Sequence, residues 1–219
     1  MTRVKFDLSL LPASPHINFE TALWQSGVTL VAGIDEAGRG ALAGPVAVGA
    51  VILPHDNPDL MHALHGVHDS KQMSAAQRET WAEIIKQVAL SWSVAYSQAD
   101  EIDDIGIVDA TCLAAGRAVN TLDLHPQHLL VDYMHLPEIN LPQTALVKGD
   151  ARVLSIACAS VLAKTTRDAL MEAYEVAFPG YGFGRHKGYG TKLHLIRIEE
   201  RGACTLHRRS FRPLRGVVG

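Results

Sequence analysis

Val28-Thr29-Leu30-Val31-Ala32-Gly33-Ile34-Asp35-Glu36-Ala37-Gly38-Arg39-Gly40 joins an apolar run to two adjacent acids and a glycine-flanked arginine. Val28, Leu30, Val31 and Ile34 read as a buried strand, a rigid element on which to hold Asp35 and Glu36. Glycines at 38 and 40 let backbone come close to something large, and the Arg39 fork suits phosphate or sugar oxygens. A strand end with solvated acids and a Gly-rich turn would show the same letters. The rest of the chain has to decide between these readings.

A second apolar run follows at Pro45–Leu53, in which Val46, Val48, Ala50 and Ile52 alternate with smaller residues. It suits a strand paired with the first as a hairpin. Ser74-Ala75-Ala76-Gln77 is a capping-box pattern, and Trp81, Ile84, Ile85 and Val88 lie at helical spacing behind it. Trp92, Val94 and Tyr96 alternate as a third strand. Asp100–Asp104 opens an acidic, exposed helix, and a helix around Val108–Leu122 is expected to turn Cys112, Leu113 and Val119 inward. Leu129–Val131 forms a short strand ending at Asp132, and Ala145–Val147 another ending near Asp150. A long helix from about Arg152 to Ala177 is stopped by Pro179-Gly180, and a further one begins at Thr191 with Gly202 as its cap. The order predicts an α/β fold: a mixed five-stranded sheet, antiparallel on one side and parallel on the other, flanked by helices that supply the crossovers. Residues 1–27, with Pro12 and Pro15, read as an irregular lead-in. Residues 28–178 read as the catalytic domain, and 179–219 as a basic C-terminal extension packed on it.

The chain has 219 residues, 47% hydrophobic and 20% charged, enough for one domain with a sizeable core. No apolar run approaches the ~20 residues of a membrane helix, and the N-terminus lacks signal-peptide features. Cys112, Cys158 and Cys204 are few, odd in number and far apart, so neither a disulfide framework nor a zinc cluster is indicated, and a reducing, cytoplasmic setting is expected. No oligomer seam is visible, so a monomer is expected. The net charge of −3 argues against a nucleic-acid binder, but its distribution does not. From Tyr181 to Gly219, nine Lys and Arg face only Glu199 and Glu200, so this part carries +7 and the part before it −10. Such asymmetry is the footprint of a basic surface facing a polyanion.

Asp35, Asp132 and Asp150 each close a short apolar strand. In open sheets, sites collect at the carboxyl ends of strands, where residues distant in sequence converge. Converging carboxylates repel one another unless divalent cations neutralise them, and oxygen-only ligands favour Mg²⁺ or Mn²⁺ over zinc. Two such ions about 3.5–4 Å apart can activate a water and stabilise the leaving oxygen of an in-line phosphoryl displacement.

Asp35–Gly40, Asp69-Ser70-Lys71, Lys148-Gly149-Asp150, Ala163–Asp168, His186–Thr191 and His207–Phe211 together resemble, in order, the motif set of bacterial ribonuclease HII, a type 2 ribonuclease H. The likeness runs from about Val28 to Phe211. It implies a ribonuclease H-like fold with a helical C-terminal extension, and two-metal hydrolysis of RNA in RNA–DNA hybrids. It also implies incision 5′ of ribonucleotides embedded in duplex DNA, leaving 3′-hydroxyl and 5′-phosphate ends. By position Asp35, Glu36, Asp132 and Asp150 match the family's metal-binding catalytic acids. Gly38, Arg39 and Gly40 match the segment that senses the 2′-hydroxyl at the ribose-to-deoxyribose junction. Tyr189 matches the tyrosine that packs on the sugar just past it.

Read from the residues alone, Tyr189 lies between glycines in a basic segment with little core to fill, which favours stacking over packing. Ser70, Lys71, Lys164 and Arg208 are candidates for phosphate contacts. Lys164 is also placed for an ion pair with Asp168 one turn on, and Lys71 for a plain helix-start position. Tyr133 stands directly after Asp132, where the family usually has glycine, and is expected to crowd the metal site or redirect the loop. Of eleven histidines, His186 and His207 fall in matched motifs. The nearest alternative is a type-HIII ribonuclease H, which typically has threonine at position 39 and a separate N-terminal binding domain. A metal-dependent phosphatase or sugar kinase would need a small-substrate pocket. A non-catalytic nucleic-acid-binding module would have no use for converging acids.

Overall fold

The two apolar runs lie side by side in the computed structural model, which describes residues 6, 7, 9 and 11–215. β1 (Val31–Ala37) pairs antiparallel with β2 (Val46–Ile52), and β2 with β3 (Ser91–Ser97). On its other side β1 pairs parallel with β4 (His128–Asp132), and β4 with β5 (Gln143–Leu146). The sheet order is β3-β2-β1-β4-β5, the mixed α/β arrangement expected. Two helices, α4 (Ala99–Ile105) and α5 (Ile107–Asn120), carry the chain from β3 to β4. The β4-to-β5 crossover differs from expectation, because residues 133–142 make it without a helix.

Every residue of β2 is buried, because helices cover both faces of the sheet. Val46, Val48, Ala50 and Ile52 meet Ala110, Ala114 and Ala118 of α5. Against the other face lies α6 (Leu154–Ala177). It sits unusually close: a Cβ at Gly33 or Gly49 would fall 2.2 Å from the Ser155 carbonyl carbon or 2.4 Å from the Ala159 oxygen. The small residues alternating through β1 and β2 are the space α6 occupies. After the short α2 (Leu60–Ala63), α3 (Ala75–Val88) covers α6 through Ala82 and Ile85, and begins with the expected Ser74–Gln77 capping box.

Two local expectations are corrected. The lead-in is not wholly irregular: α1 (Asn18–Gln25) forms there, driven by packing of Phe19, Leu23 and Trp24 against Val31, Leu130 and Val153. Its buried Glu20 accepts the Ser155 amide (2.8 Å), satisfying a free donor in the first turn of α6. On α5, Val119 is buried but Leu113 faces outward, 38% exposed. The outer ends of the lead-in and extension, 1–5, 8, 10 and 216–219, lie outside the described residues.

After α6 the chain forms α7 (Phe183–His186) and α8 (Lys192–Arg201), the latter capped by Thr191, whose hydroxyl accepts the His194 amide. Among the described residues no helix is long and apolar enough to cross a membrane.

Candidate active site

Strand register brings the acids together. In the parallel β1–β4 pair Ile34 stands opposite Val131, so the next residues, Asp35 and Asp132, reach the same sheet end on adjacent strands. β1 runs on through Glu36 to Ala37, holding both adjacent acids on strand rather than in a turn. Asp150 follows β5 in a short 3-10 turn (Gly149–Ala151), whose Gly149 amide donates to Asp132 Oδ1 at 2.7 Å. Asp35, Glu36, Asp132, Gly38, Arg39, Gly40, Ser70, Lys71, Lys164 and Tyr189 line one cleft of about 590 Å³. A larger hollow of about 780 Å³ lies beside α5, lined by Cys112, Leu113, Ile139 and Leu141, away from the converging acids.

The electrostatics of the cleft are those of acids that outnumber their counter-charges. Burial pushes Asp35 well above the ordinary carboxylate range, with Glu36, Asp132 and Asp150 adding repulsion and Ser160 partly relieving it. Asp132 rises to about 6, through burial first and Asp150 next. Asp35 Oδ2 and Asp150 Oδ1 are buried without a hydrogen-bond partner. Lys71 supplies the nearest positive charge, its Nζ 3.2 Å from Asp150 Oδ2. Burial opposes that ammonium, but Asp150 and Asp35 together hold it above its ordinary range. Two orphaned carboxylate oxygens and mutual repulsion are what a divalent cation would relieve, so the donor set fits Mg²⁺ or Mn²⁺. Among the described residues no three acids, His or Cys enclose a single ion position; Asp35, Glu36 and Asp132 line the cleft, and Asp150 couples to Asp35 and Asp132 beside it.

The glycine-flanked loop is held from behind. Gly38 takes φ +89°, and a Cβ there would fall 2.0 Å from Arg167 Nε. Only glycine meets both demands. Arg39 Nη1 reaches Glu36 Oε1 at 3.4 Å. Tyr189 stands across the cleft with Lys164 Nζ 5.5 Å and the Arg167 guanidinium 5.6 Å from its ring. Lys164 also forms the ion pair with Asp168 (2.7 Å), which Arg78 completes from α3 at 3.3 Å. Arg78 donates further to the Ser70 and Met73 carbonyls, tying the Ser70–Lys71 turn to α6.

Two expected contacts are revised. Arg208 is not placed for phosphate: it is 0% exposed, donating from Nε to the Gly44 carbonyl and from Nη1 to the Arg39 carbonyl. Its charge serves the loop from inside. Ser70 lines the cleft, but its hydroxyl is buried against Ser160 Oγ at 2.8 Å. Tyr133 does not crowd the acids either. It adopts φ 61°, the left-handed conformation that glycine takes readily, is 56% exposed, and is not among the residues lining the cleft.

Sequence reasoning missed Ser160, Arg78 and Arg167, which act from helices through tertiary contacts. It also missed a histidine relay beneath Tyr189. His194 Nδ1 donates to the Tyr189 carbonyl (3.0 Å), its Nε2 accepts from His207 Nε2 (3.1 Å), and His207 Nδ1 accepts the Cys204 amide (3.0 Å). Each partner fixes one tautomer, so both rings are neutral. Burial lowers His194 and His207 to about 4.

A mixed five-stranded sheet with acids gathered at one end, backed by a helix that seats a glycine loop, defines a ribonuclease H-like protein. The solved ribonuclease H2 from Pyrococcus horikoshii OT3 superimposes with a TM-score of 0.71, at 26% identity, over 84% of this chain and 95% of that one. Bst-RNase HIII in complex with Mn²⁺ shares the fold at a TM-score of 0.64 and 20% identity, over 88% and 70% of the two chains. The ribonuclease HII from Anaeromyxobacter sp. (strain Fw109-5) is 51% identical over 93% of this chain, which spans 63% of that protein's length. The family model for ribonuclease HII matches residues 32–213, and the chain belongs to the ribonuclease HII family.

Proposed function

We propose that this protein is an endoribonuclease that hydrolyses RNA in RNA–DNA hybrids and incises 5′ of ribonucleotides embedded in duplex DNA, leaving 3′-hydroxyl and 5′-phosphate ends. One observation carries the reading: Asp35, Glu36, Asp132, the Gly38–Gly40 loop and Tyr189 line one cleft, with Asp150 beside them coupled to Asp35 and Asp132. Asp35, Glu36, Asp132 and Asp150 would hold two divalent cations, Mg²⁺ or Mn²⁺, which when bound neutralise the charge developing at phosphorus and favour in-line attack by water.

The remaining work belongs to the chain. The Gly149 amide fixes Asp132 by its Oδ1, and the Glu36 amide fixes Asp35 by its Oδ1 at 2.8 Å. Each leaves its second oxygen for the cleft. Backbone groups of Gly38–Gly40 read the 2′-hydroxyl, because no side chain blocks their approach. Tyr189 packs on the sugar past the junction, its ring backed by Lys164 and Arg167. Lys71 and Lys164 meet phosphates, which set register without reading bases. Exposed Arg185, Lys192, Arg201, Arg209, Arg212 and Arg215 carry the positive charge of the extension to the surface. The protein acts as a cytoplasmic monomer.

Turnover on an RNA–DNA hybrid, an all-DNA duplex and single-stranded RNA of the same sequence tests the reading. Cleavage of the hybrid alone is expected. Cleavage of all three alike would make this a general nuclease.

A further inference from the structure

We infer that Arg167 is a positioning residue that sets the spacing between the Gly38–Gly40 loop and Tyr189, and thereby the preference for a ribonucleotide junction. The inference rests on the assignment of those two segments to junction recognition in the preceding section.

Arg167 lies on α6 at 0% exposure. Its Nε donates to the Pro45 carbonyl (2.8 Å) and its Nη2 to the Ala43 carbonyl (3.1 Å), both at the end of the loop. Its Nη1 donates to the Lys187 carbonyl (2.9 Å), two residues before Tyr189. One planar group therefore holds three carbonyls from two segments more than 140 residues apart in sequence. The same group seats Gly38 and stands 5.6 Å from the Tyr189 ring. Loop and tyrosine cannot shift independently while it is in place.

No carboxylate shares this task. Asp168, the adjacent acid, is taken by Lys164 and Arg78. A buried guanidinium with only carbonyl partners is an expensive way to fasten a loop, and burial lowers its proton affinity. The arrangement is explained by geometry: a rigid fork fixes direction as well as distance, which an ammonium on a flexible stem does not. Backbone bonds complete the seam, with the Leu42 and Ala43 amides both donating to the Gly188 carbonyl.

The test is the ratio of kcat/KM for a duplex with one embedded ribonucleotide to kcat/KM for a continuous hybrid, in wild type, Arg167→Lys and Gly188→Ala. Arg167→Lys keeps the charge but loses the fork. Gly188→Ala keeps the Arg167 side chain but drives a methyl to 2.3 Å from the Ala43 oxygen, the acceptor of Arg167 Nη2, opening the same seam. In both variants the ratio is expected to fall about tenfold or more. In a Tyr189→Ala background, Arg167→Lys is expected to change the ratio by less than about twofold, because it acts through the tyrosine. A folded Arg167→Lys with the wild-type ratio, or an equal loss on both substrates, would overturn the inference. Should Arg167→Lys fail to fold, Gly188→Ala decides by the same criteria. A wild-type enzyme that does not incise the embedded ribonucleotide would instead overturn the parent reading, before any variant is made.

Discussion

Asp132 is a carboxylate whose protonation matters to stability as much as to activity. Its pKa in the folded protein, about 6, exceeds the ordinary 3.8, so between those values the folded state keeps a proton that the unfolded chain has released. Stability is lost as pH rises through that window, and the full cost is present above about pH 6. Asp132→Asn removes the charge, keeps the Oδ1 acceptor for the Gly149 amide, and is expected to raise the melting temperature of the metal-free protein at pH 7. Turnover should fall by several orders of magnitude; near-normal turnover at saturating Mg²⁺ would remove Asp132 from the mechanism. Lys71 argues the same point from the opposite charge. Lys71→Met leaves Asp150 without its cation, so added Mg²⁺ should raise the melting temperature more in this variant than in wild type, as a thermal-shift titration would show. Tyr189→Ala should slow incision at a single ribonucleotide more than hybrid cleavage, by an amount on the order of 1–3 kcal/mol if sugar stacking resembles base stacking. Equal losses in kcat/KM would make Tyr189 a general binding residue. The acids were legible in sequence because each stands in or shortly after an apolar strand, a local pattern, although only Asp132 is a strand's last residue. Arg208 and Ser70 were misread because the letters for a surface arginine and a buried one are identical.

Among the elements, the C-terminal extension fastens the loop at 38–44. Arg208 bonds the Gly44 and Arg39 carbonyls, the Gly44 amide donates to the Leu206 carbonyl, and the Arg208 amide to the Leu42 carbonyl. Arg208→Met orphans the buried Gly44 carbonyl, at roughly 1–3 kcal/mol, and the partly buried Arg39 carbonyl at less, so urea unfolding should show a clear loss of stability. Because Arg208 is buried, the slope of log K against log salt for duplex binding should not change. A slope flattened by about one unit would return Arg208 to the phosphate path. The strands and the capped helices α3 and α8 were legible because caps and alternation are short-range signals. α1 was not, since its N-cap Ile17 offers no side-chain bond and its stability comes from packing on Val31 and Val153. Leu113 was misjudged for a related reason. A helix's inward arc depends on its seat over the sheet, and α5 presents its alanines there.

Across the whole molecule, an acidic catalytic end is set against a basic extension, and acid should act on both. His194 and His207 titrate near 4, below the 6.5 of an unfolded chain, so on acidification the unfolded state takes up protons first. They make stability fall as pH drops from about 6.5 through 4, opposite in sign to Asp132 over part of that range. A His194→Gln and His207→Gln pair should flatten the acid limb of the curve of unfolding free energy against pH. An unchanged limb would show that the relay does not govern it. The central claim, that these acids support divalent-metal hydrolysis at a ribonucleotide junction, is tested most directly by one measurement. A DNA duplex carrying a single ribonucleotide is incubated with the enzyme and Mg²⁺, with and without EDTA, and the ends of the products are mapped. The account predicts a single cut on the 5′ side of the ribonucleotide with a 3′-hydroxyl and a 5′-phosphate, abolished by EDTA. A cut that survives EDTA, or a 2′,3′-cyclic phosphate from attack by the substrate's own hydroxyl, would contradict it.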